Sequence, residues 1–233
     1  MSLLSLIQDV CGMLSLPQPG SAAASTDRQV LQLVALANEE GLELSRRCAW
    51  QALTEEASFT TVAAAAQPAA IPADFDRFVP GTFFNRTTRR EVVGPLPPRE
   101  WQALQANPAA GRVYLAFRQR QGQFLLTPAP PAGQVIAYEY VSSNWARSQA
   151  GAAQAGFMAD TDTSFLDEAL IKRGVRWRYL RAKGLDYAEE LQTYERMVEI
   201  AVARDGGAGV LSLAPSAPET GRLHAPDGGF GAS

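Results

Sequence analysis

ADTDTSFLDEALIKRGVRWRYLRAKGLDYAEELQTYERMVEIAVAR, residues Ala159–Arg204, is the stretch whose reading decides the fold. It reads as two helices, 165–183 and 186–204, parted by Gly184. In the first, Leu166, Leu170 and Trp177 line one side. Lys172, Arg176 and Lys183 fall within ~40° of one another on the far side, at ~3.6 residues per turn. The second repeats Tyr187, Leu191, Tyr194, Val198 and Ala201 at spacings of three and four, which buries a stripe, and carries Glu189, Glu190, Glu195 and Glu199 elsewhere. The run Lys172, Arg173, Arg176, Arg178, Arg181 and Lys183 contains no acidic residue. Three roles fit it: a solvated face bridged to the acidic helix, a subunit interface, or contact with a DNA backbone, since arginine pairs with carboxylates and phosphates alike. A basic helix beside an acidic one suits assembly better than catalysis.

The residues ahead of the hairpin support the same reading. Asp160, Asp162 and Ser164 resemble the opening of a calcium loop, but Phe165 stands where the turn glycine belongs and Ile171 where the closing carboxylate belongs. Capping accounts for them better: Asp162, Thr163 or Ser164 closes the start of a helix at Phe165, and Asp167 and Glu168 complement its positive end. At the other end of the chain, Leu3, Ile7, Val10 and Leu14 form the stripe of a short helix stopped by Pro17 and Pro19. Ser25 or Thr26 then caps a long helix whose seam runs through Val30, Val34, Ala37, Gly41, Leu44 and Cys48 to about Leu53. Gly41 costs up to ~1 kcal/mol in such a helix, which predicts close approach of a neighbouring helix.

From Ala57 the pattern changes to β-branched and small residues with proline punctuation. Val113, Leu115 and Phe117 alternate with Tyr114, Ala116 and Arg118; Gln121 and Gly122 mark a turn; 124–126 return, and 135–141 (VIAYEYV) supply another strand. Pro98–Ala106 reads as one short helix with Trp101 and Leu104 inward, and 78–96 as mostly loop. The fold class predicted is α+β: mainly a helical bundle (1–56 and 151–204), a small antiparallel β-rich insertion with a short helix (57–150), and a flexible C-terminal arm (205–233). In that arm 15 of the 29 residues are Gly, Ala or Pro, too little side chain for a packed core. Its apolar residues Val210, Leu211, Leu213 and Phe230 are candidate anchors for a partner.

Composition narrows the function. A net charge of -3 over 233 residues excludes a protein that coats nucleic acid by bulk electrostatics. The single histidine, His224, lies in the arm, so neither a Ser/His/Asp triad nor a histidine metal cluster forms in the folded body. No phosphate-cradling glycine motif is present, and no cofactor is implied. Cys11 and Cys48 sit in apolar helical patterns and read as reduced thiols. The start lacks a charged leader, and no run reaches the ~18 apolar residues of a membrane span, which predicts a cytoplasmic protein with no membrane partner. Asp74 and Asp76, with Glu100, are the carboxylates a cell-wall hydrolase would use; a turn explains the first two better. Arg86, Arg89 and Arg90, close to Phe83 and Phe84, form a second basic cluster, suited to anchoring a loop, to a neighbouring chain or tail, or to a single nucleic-acid strand.

Three segments carry a resemblance: RRCAWQALTEEASFTT (46–61), IPADFDRFVPGTFFNRTTRREVVGPLPPREWQAL (71–104) and FMADTDTSFLDEALIKRGVRWRYLRAKGLDYAEELQTYE (157–195). Together they resemble the head-to-tail adaptor, or connector, proteins of tailed bacteriophages, including the tail tubular protein A type, over roughly residues 26 to 204. The resemblance implies a virion structural protein without catalytic residues. It would form a ring, of twelve copies, beneath the portal at the capsid vertex, having been made in the host cytoplasm, and would offer a tail or nozzle protein its docking surface. It also implies a C-terminal segment that reaches the portal and a channel through which double-stranded DNA passes without sequence-specific contact. Ring closure needs two different patches on each subunit, which the opposed charges of the two C-terminal helices would supply. The rival readings are a DNA-packaging or regulatory factor using the basic helix, and a virion-associated hydrolase.

Overall fold

A computed structural model describes residues 1–68, 71–106 and 114–206. The chain opens with helices α1 (Leu3–Met13) and α2 (Arg28–Arg47) and a short 3-10 turn at Gln51–Leu53. Five strands follow: β1 (Thr54–Thr60), β2 (Ala66–Gln67), β3 (Phe75–Phe78), β4 (Phe84–Asn85) and β5 (Arg90–Val93). Helix α3 (Pro98–Ala106) leads to β6 (Leu115–Arg120), β7 (Gln123–Thr127) and β8 (Val135–Ser142). Three two-residue strands, β9 (Ala146–Arg147), β10 (Ala153–Gln154) and β11 (Thr163–Ser164), precede α4 (Glu168–Ala182) and α5 (Ala188–Asp205). Residues 207–233, including Val210, Leu211, Leu213, Phe230 and His224, lie outside the described residues, as does Val113.

Local chemistry sets the helix ends. Asp27, not Ser25 or Thr26, caps α2 by accepting from the Gln29 N–H at 2.8 Å, and Asp167 caps α4 by accepting from the Ala169 N–H at 2.8 Å. The predicted start at Phe165 is displaced because Thr163 and Ser164 are held as β11 against β9. The hairpin break follows from Gly184. Its φ of +69° suits only a residue without a Cβ penalty. The Leu185 N–H donates to the Leu180 carbonyl at 2.9 Å, and the Gly184 N–H to that of Arg181 at 3.1 Å, the two bonds of a Schellman close.

The mainly helical bundle with a small antiparallel insertion is not what forms. Eight strands make one curled sheet in the order β1-β8-β4-β5-β6-β7-β2, with β3 also paired to β8, and a second, three-stranded sheet joins β10, β9 and β11. The large sheet is mixed, because β5 and β6 pair in parallel, Val92 with Leu115 and Val93 with Ala116. Parallel neighbours need a crossover, and α3 provides it. The span 78–96, which reads as loop, contributes β4 and β5 to the middle of the sheet. Strands of two to four residues hold no alternation of their own, so their pairing is dictated by long-range register, β4 with β8 and β5 with β4 and β6. That strand is buried on both faces over much of its length: Ile136, Tyr138 and Tyr140 enter one core and Val141 another.

The first core joins α1, α2, α4 and α5 around Leu33, Leu44, Trp145, Ile171 and Tyr194; the second is aromatic and lies under the sheet. There the Phe83 ring stacks on Phe117 at 3.9 Å and on Tyr138 at 4.7 Å. Gly41 does mark a close approach, but its neighbour is an indole: a Cβ there would lie 2.3 Å from Trp145. Trp145 is fully buried and meets Phe157 edge-on at 4.9 Å. Cys11 is buried, Cys48 half-buried, and both are free thiols. Among the described residues no helix is long and apolar enough to cross a membrane.

Candidate functional site

The hairpin of α4 and α5 seats its charges differently from one another, beginning with Arg178. Its side chain is 8% exposed, which is rare for arginine unless paired. Three carboxylates of α2 surround it: Nε donates to Glu40 at 2.7 Å, Nη1 to Glu39 at 2.9 Å and Nη2 to Glu43 at 2.5 Å. Glu40 has no exposed surface and also accepts a short hydrogen bond from the Tyr194 hydroxyl of α5. One buried constellation therefore ties α2, α4 and α5 together. Gly174 makes room for it, since a Cβ there would lie 2.1 Å from the Glu40 carboxyl carbon. Burial pushes the Glu40 carboxyl up, against the Tyr194 and Arg178 bonds that favour its charged form. Burial also opposes ionisation of Glu43, but Arg178 and Arg47 hold that carboxyl below the usual range.

Most of the remaining basic run is paired within the chain. Lys172 reaches Asp9 of α1 at 3.1 Å, and Arg173 and Arg176 share Glu190 at 3.1 and 2.9 Å. Glu195 forms a two-pronged pair with Arg47 of α2, at 2.8 and 3.2 Å, the fork geometry that arginine and carboxylate prefer. Arg181 and Lys183 stay exposed at the α4–α5 turn, Lys183 over the Tyr179 ring at 5.1 Å, and Glu189 and Glu199 stay exposed on α5. Sequence reasoning missed Glu39, Glu40 and Glu43. The signal was Glu40 itself, a carboxylate three residues after Ala37 and four before Leu44 on the apolar seam of α2, where a charge requires a partner.

The second basic cluster sits on the outer face of the sheet. Arg86 pairs with Glu56 at 2.5 Å, across β8, beside the exposed Phe84; Arg89 and Arg90 are exposed at the β4–β5 turn. Another exposed apolar patch combines Met158, 74% exposed, with Leu42 of α2 across a shallow groove.

The carboxylates singled out for chemistry are scattered among structural duties. Asp74 accepts from the Ser142 hydroxyl at 2.6 Å and the Tyr140 hydroxyl at 3.1 Å, Asp76 pairs with Arg77, and Glu100 lies in α3. Asp160 accepts from Ser21 Oγ at 2.6 Å and from the Ala22 and Ala23 N–H groups at 2.8 and 2.7 Å. Burial opposes its charge, but these donors hold the carboxyl below the usual range. Asp162 accepts from Gln154 Nε2 at 2.6 Å and from the Met158 and Ala159 N–H groups at 2.7 and 2.8 Å. The calcium-like stretch is thus a clasp that fastens two loops. The described residues contain no cluster of three or more metal-ligating side chains.

What remains is a body braced internally by charge, with exposed charged and apolar patches at the hairpin turn, beside α2 and on the sheet. The family model described as SU10 adaptor protein matches residues 1–214. Comparison with curated proteins gives no match.

Proposed function

This chain belongs to the SU10 adaptor protein family, a phage head-to-tail adaptor of the virion, and from that premise we propose that it closes into a ring of twelve copies beneath the portal. The match over residues 1–214 carries the reading, because it spans every described element. In the ring, one patch of each subunit meets a different patch of the next. Arg181 and Lys183 at the hairpin turn, with Glu189 and Glu199 on α5, serve that contact. They are the members of the predicted interface whose charge the fold leaves exposed. Arg173, Arg176 and Arg178 act one step back, fixing the hairpin in place. The residues beyond Gly206 form the arm that reaches the portal, and the tail or nozzle protein docks on an exposed face that includes Arg86, Arg89 and Phe84. Lys172, Arg173, Arg176 and Arg178 of the basic run are paired within the chain, so their contact with the phosphates of DNA passing through the ring is weak and nonspecific.

Native mass spectrometry of the purified chain, with and without portal protein, tests this. A single oligomer of about twelve copies, formed alone or on portal addition, is the expected species. A chain that stays monomeric with portal present would sink the reading. Replacing Arg181 and Lys183 by Ala lowers the ring population without shifting the monomer's melting temperature; unchanged rings would remove those residues from the contact.

A further inference from the structure

Asn38 and Glu40 point to opposite sides of α2, since two residues at ~100° each turn a helix through roughly 200°. Glu40 meets Arg178, so α4 and its hairpin lie on one side. On the other, Asn38 is joined to the loop ahead of β11: its Oδ1 accepts from the Phe157 N–H at 2.8 Å and its Nδ2 donates to the Phe157 carbonyl at 3.3 Å. Gly156 permits that approach, because a Cβ there would lie 2.9 Å from Asn38 Oδ1. The Met158 N–H donates to Asp162 at 2.7 Å, which fixes the next residue too. A shallow groove results, its lining including Asn38, Leu42, Phe157 and Met158, with Glu39 at its rim.

This groove presents apolar side chains to solvent. Met158 is 74% exposed and Leu42 40%, and Leu31, two helical turns before Asn38 on the same side of α2, is 48% exposed. Exposed apolar residues scattered singly need no explanation, whereas a contiguous patch marks an interaction site. Here they share one stripe, and the bonded backbone at Phe157 and Met158 holds the methionine outward.

The hairpin turn carries the complement. Leu185 is 54% exposed, on a backbone set by its bond to the Leu180 carbonyl at 2.9 Å. Arg181 and Lys183, both exposed, stand just ahead of it. Asp186, just after it, turns its carboxylate to the Ala188 N–H at 3.1 Å. The groove's rim has the opposite sign. Glu39, Glu40 and Glu43 set three carboxylates against the one guanidinium of Arg178. Arg47 also answers Glu43, but Glu39 keeps 60% of its side chain exposed.

We propose that Leu185 of one subunit seats in the Leu42–Phe157–Met158 groove of a second copy of the chain, where Arg181 and Lys183 meet Glu39. The two patches lie on opposite sides of α2, so they do not meet within one subunit. A contact of this head-to-tail kind repeats from copy to copy until a ring closes. The pairing rests on the ring reading, of which it names the receiving face.

Met158→Asp puts a charge in the groove and Leu185→Asp puts one on the tip. Both sites are exposed, so the monomer's melting temperature moves by no more than about 2 °C. Under the conditions that assemble the unmodified chain, native mass spectrometry of either variant alone shows at least about a tenfold loss of ring. An equimolar mixture gives a 1:1 pair and nothing longer, because the Met158→Asp copy still offers a tip and the Leu185→Asp copy a groove. Peroxide footprinting uses the unmodified chain and decides the matter should a variant not fold: Met158 sulfoxide forms at least about tenfold more slowly in the ring than in the monomer. Rings from either variant, a mixture without pairs, equal oxidation in ring and monomer, or a Met158 already shielded in the monomer would each overturn the pairing. Where the unmodified chain still assembles in those cases, the ring reading stands without it; a chain that stays monomeric with portal present removes both.

Discussion

Arg178→Met is the sharpest probe of how α2, α4 and α5 are held together. Methionine fills a similar space but withdraws the guanidinium from Glu39, Glu40 and Glu43. Glu39 and Glu43 are half in solvent and lose little. Glu40 is fully buried and keeps only the Tyr194 hydroxyl, so an uncompensated charge stays in the interior. Breaking a buried pair in this way costs about 3–5 kcal/mol. At roughly 2–4 °C per kcal/mol for a chain of this size, the melting temperature falls by about 6–20 °C. The pH dependence has a definite sign. Without Arg178 the folded-state value of Glu40 rises further above its unfolded value of ~4.3. The penalty is therefore absent below that value and grows as pH rises toward the folded-state value, so the loss is smaller at pH 5 than at pH 8. Adding Glu40→Gln removes the stranded charge, and the double variant recovers at least about 2 kcal/mol relative to the sum of the singles. Urea unfolding of the four proteins, followed by circular dichroism, measures this. A loss under about 1 kcal/mol, additive singles, or a penalty that grows on acidification would refute the reasoning.

Other consequences are as direct. Gly41→Ala drives a Cβ into the Trp145 indole and costs about 1–3 kcal/mol by overpacking; an unchanged melting temperature would show that the indole can move. Asp160→Ala strips acceptors from Ser21, Ala22 and Ala23 and costs about 1–3 kcal/mol at pH 7. Because its carboxyl titrates below its ordinary value, that contribution is full above about pH 4 and is lost as pH falls, so variant and parent converge in acid melts. Phe83→Ala removes the ring stacked between Phe117 and Tyr138 and costs about 3–5 kcal/mol in denaturant unfolding, whereas a value under about 1 kcal/mol would mean the aromatic core closes over the gap.

The helical elements were legible along the chain because each carries its own signals. Apolar stripes at 3.6-residue spacing place α1, α2 and α5, Pro98 opens α3, and Gly184 closes α4; all of these act within a few residues. The opposed charges of the hairpin were legible too, but not their partners. Arg173 and Arg176 do meet Glu190 across the hairpin, whereas Arg178 finds α2, some 135–139 residues earlier. A charge on a helix face says that something must neutralise it and nothing about where in the chain that group lies.

Local sequence determined the helices, the longer strands and the family likeness in the 71–104 and 157–195 segments, whereas the capping residues proved to be Asp27 and Asp167. Only the tertiary structure decided that β4 and β5 lie in the middle of an eight-stranded mixed sheet, that Trp145 is the partner of Gly41, and that β1 ends that sheet among the described residues. The physical reason is range. Helical hydrogen bonds close over four residues and leave their period in the sequence. A two-residue strand closes its bonds with β8 some fifty residues away, and its own few side chains hold no record of that pairing.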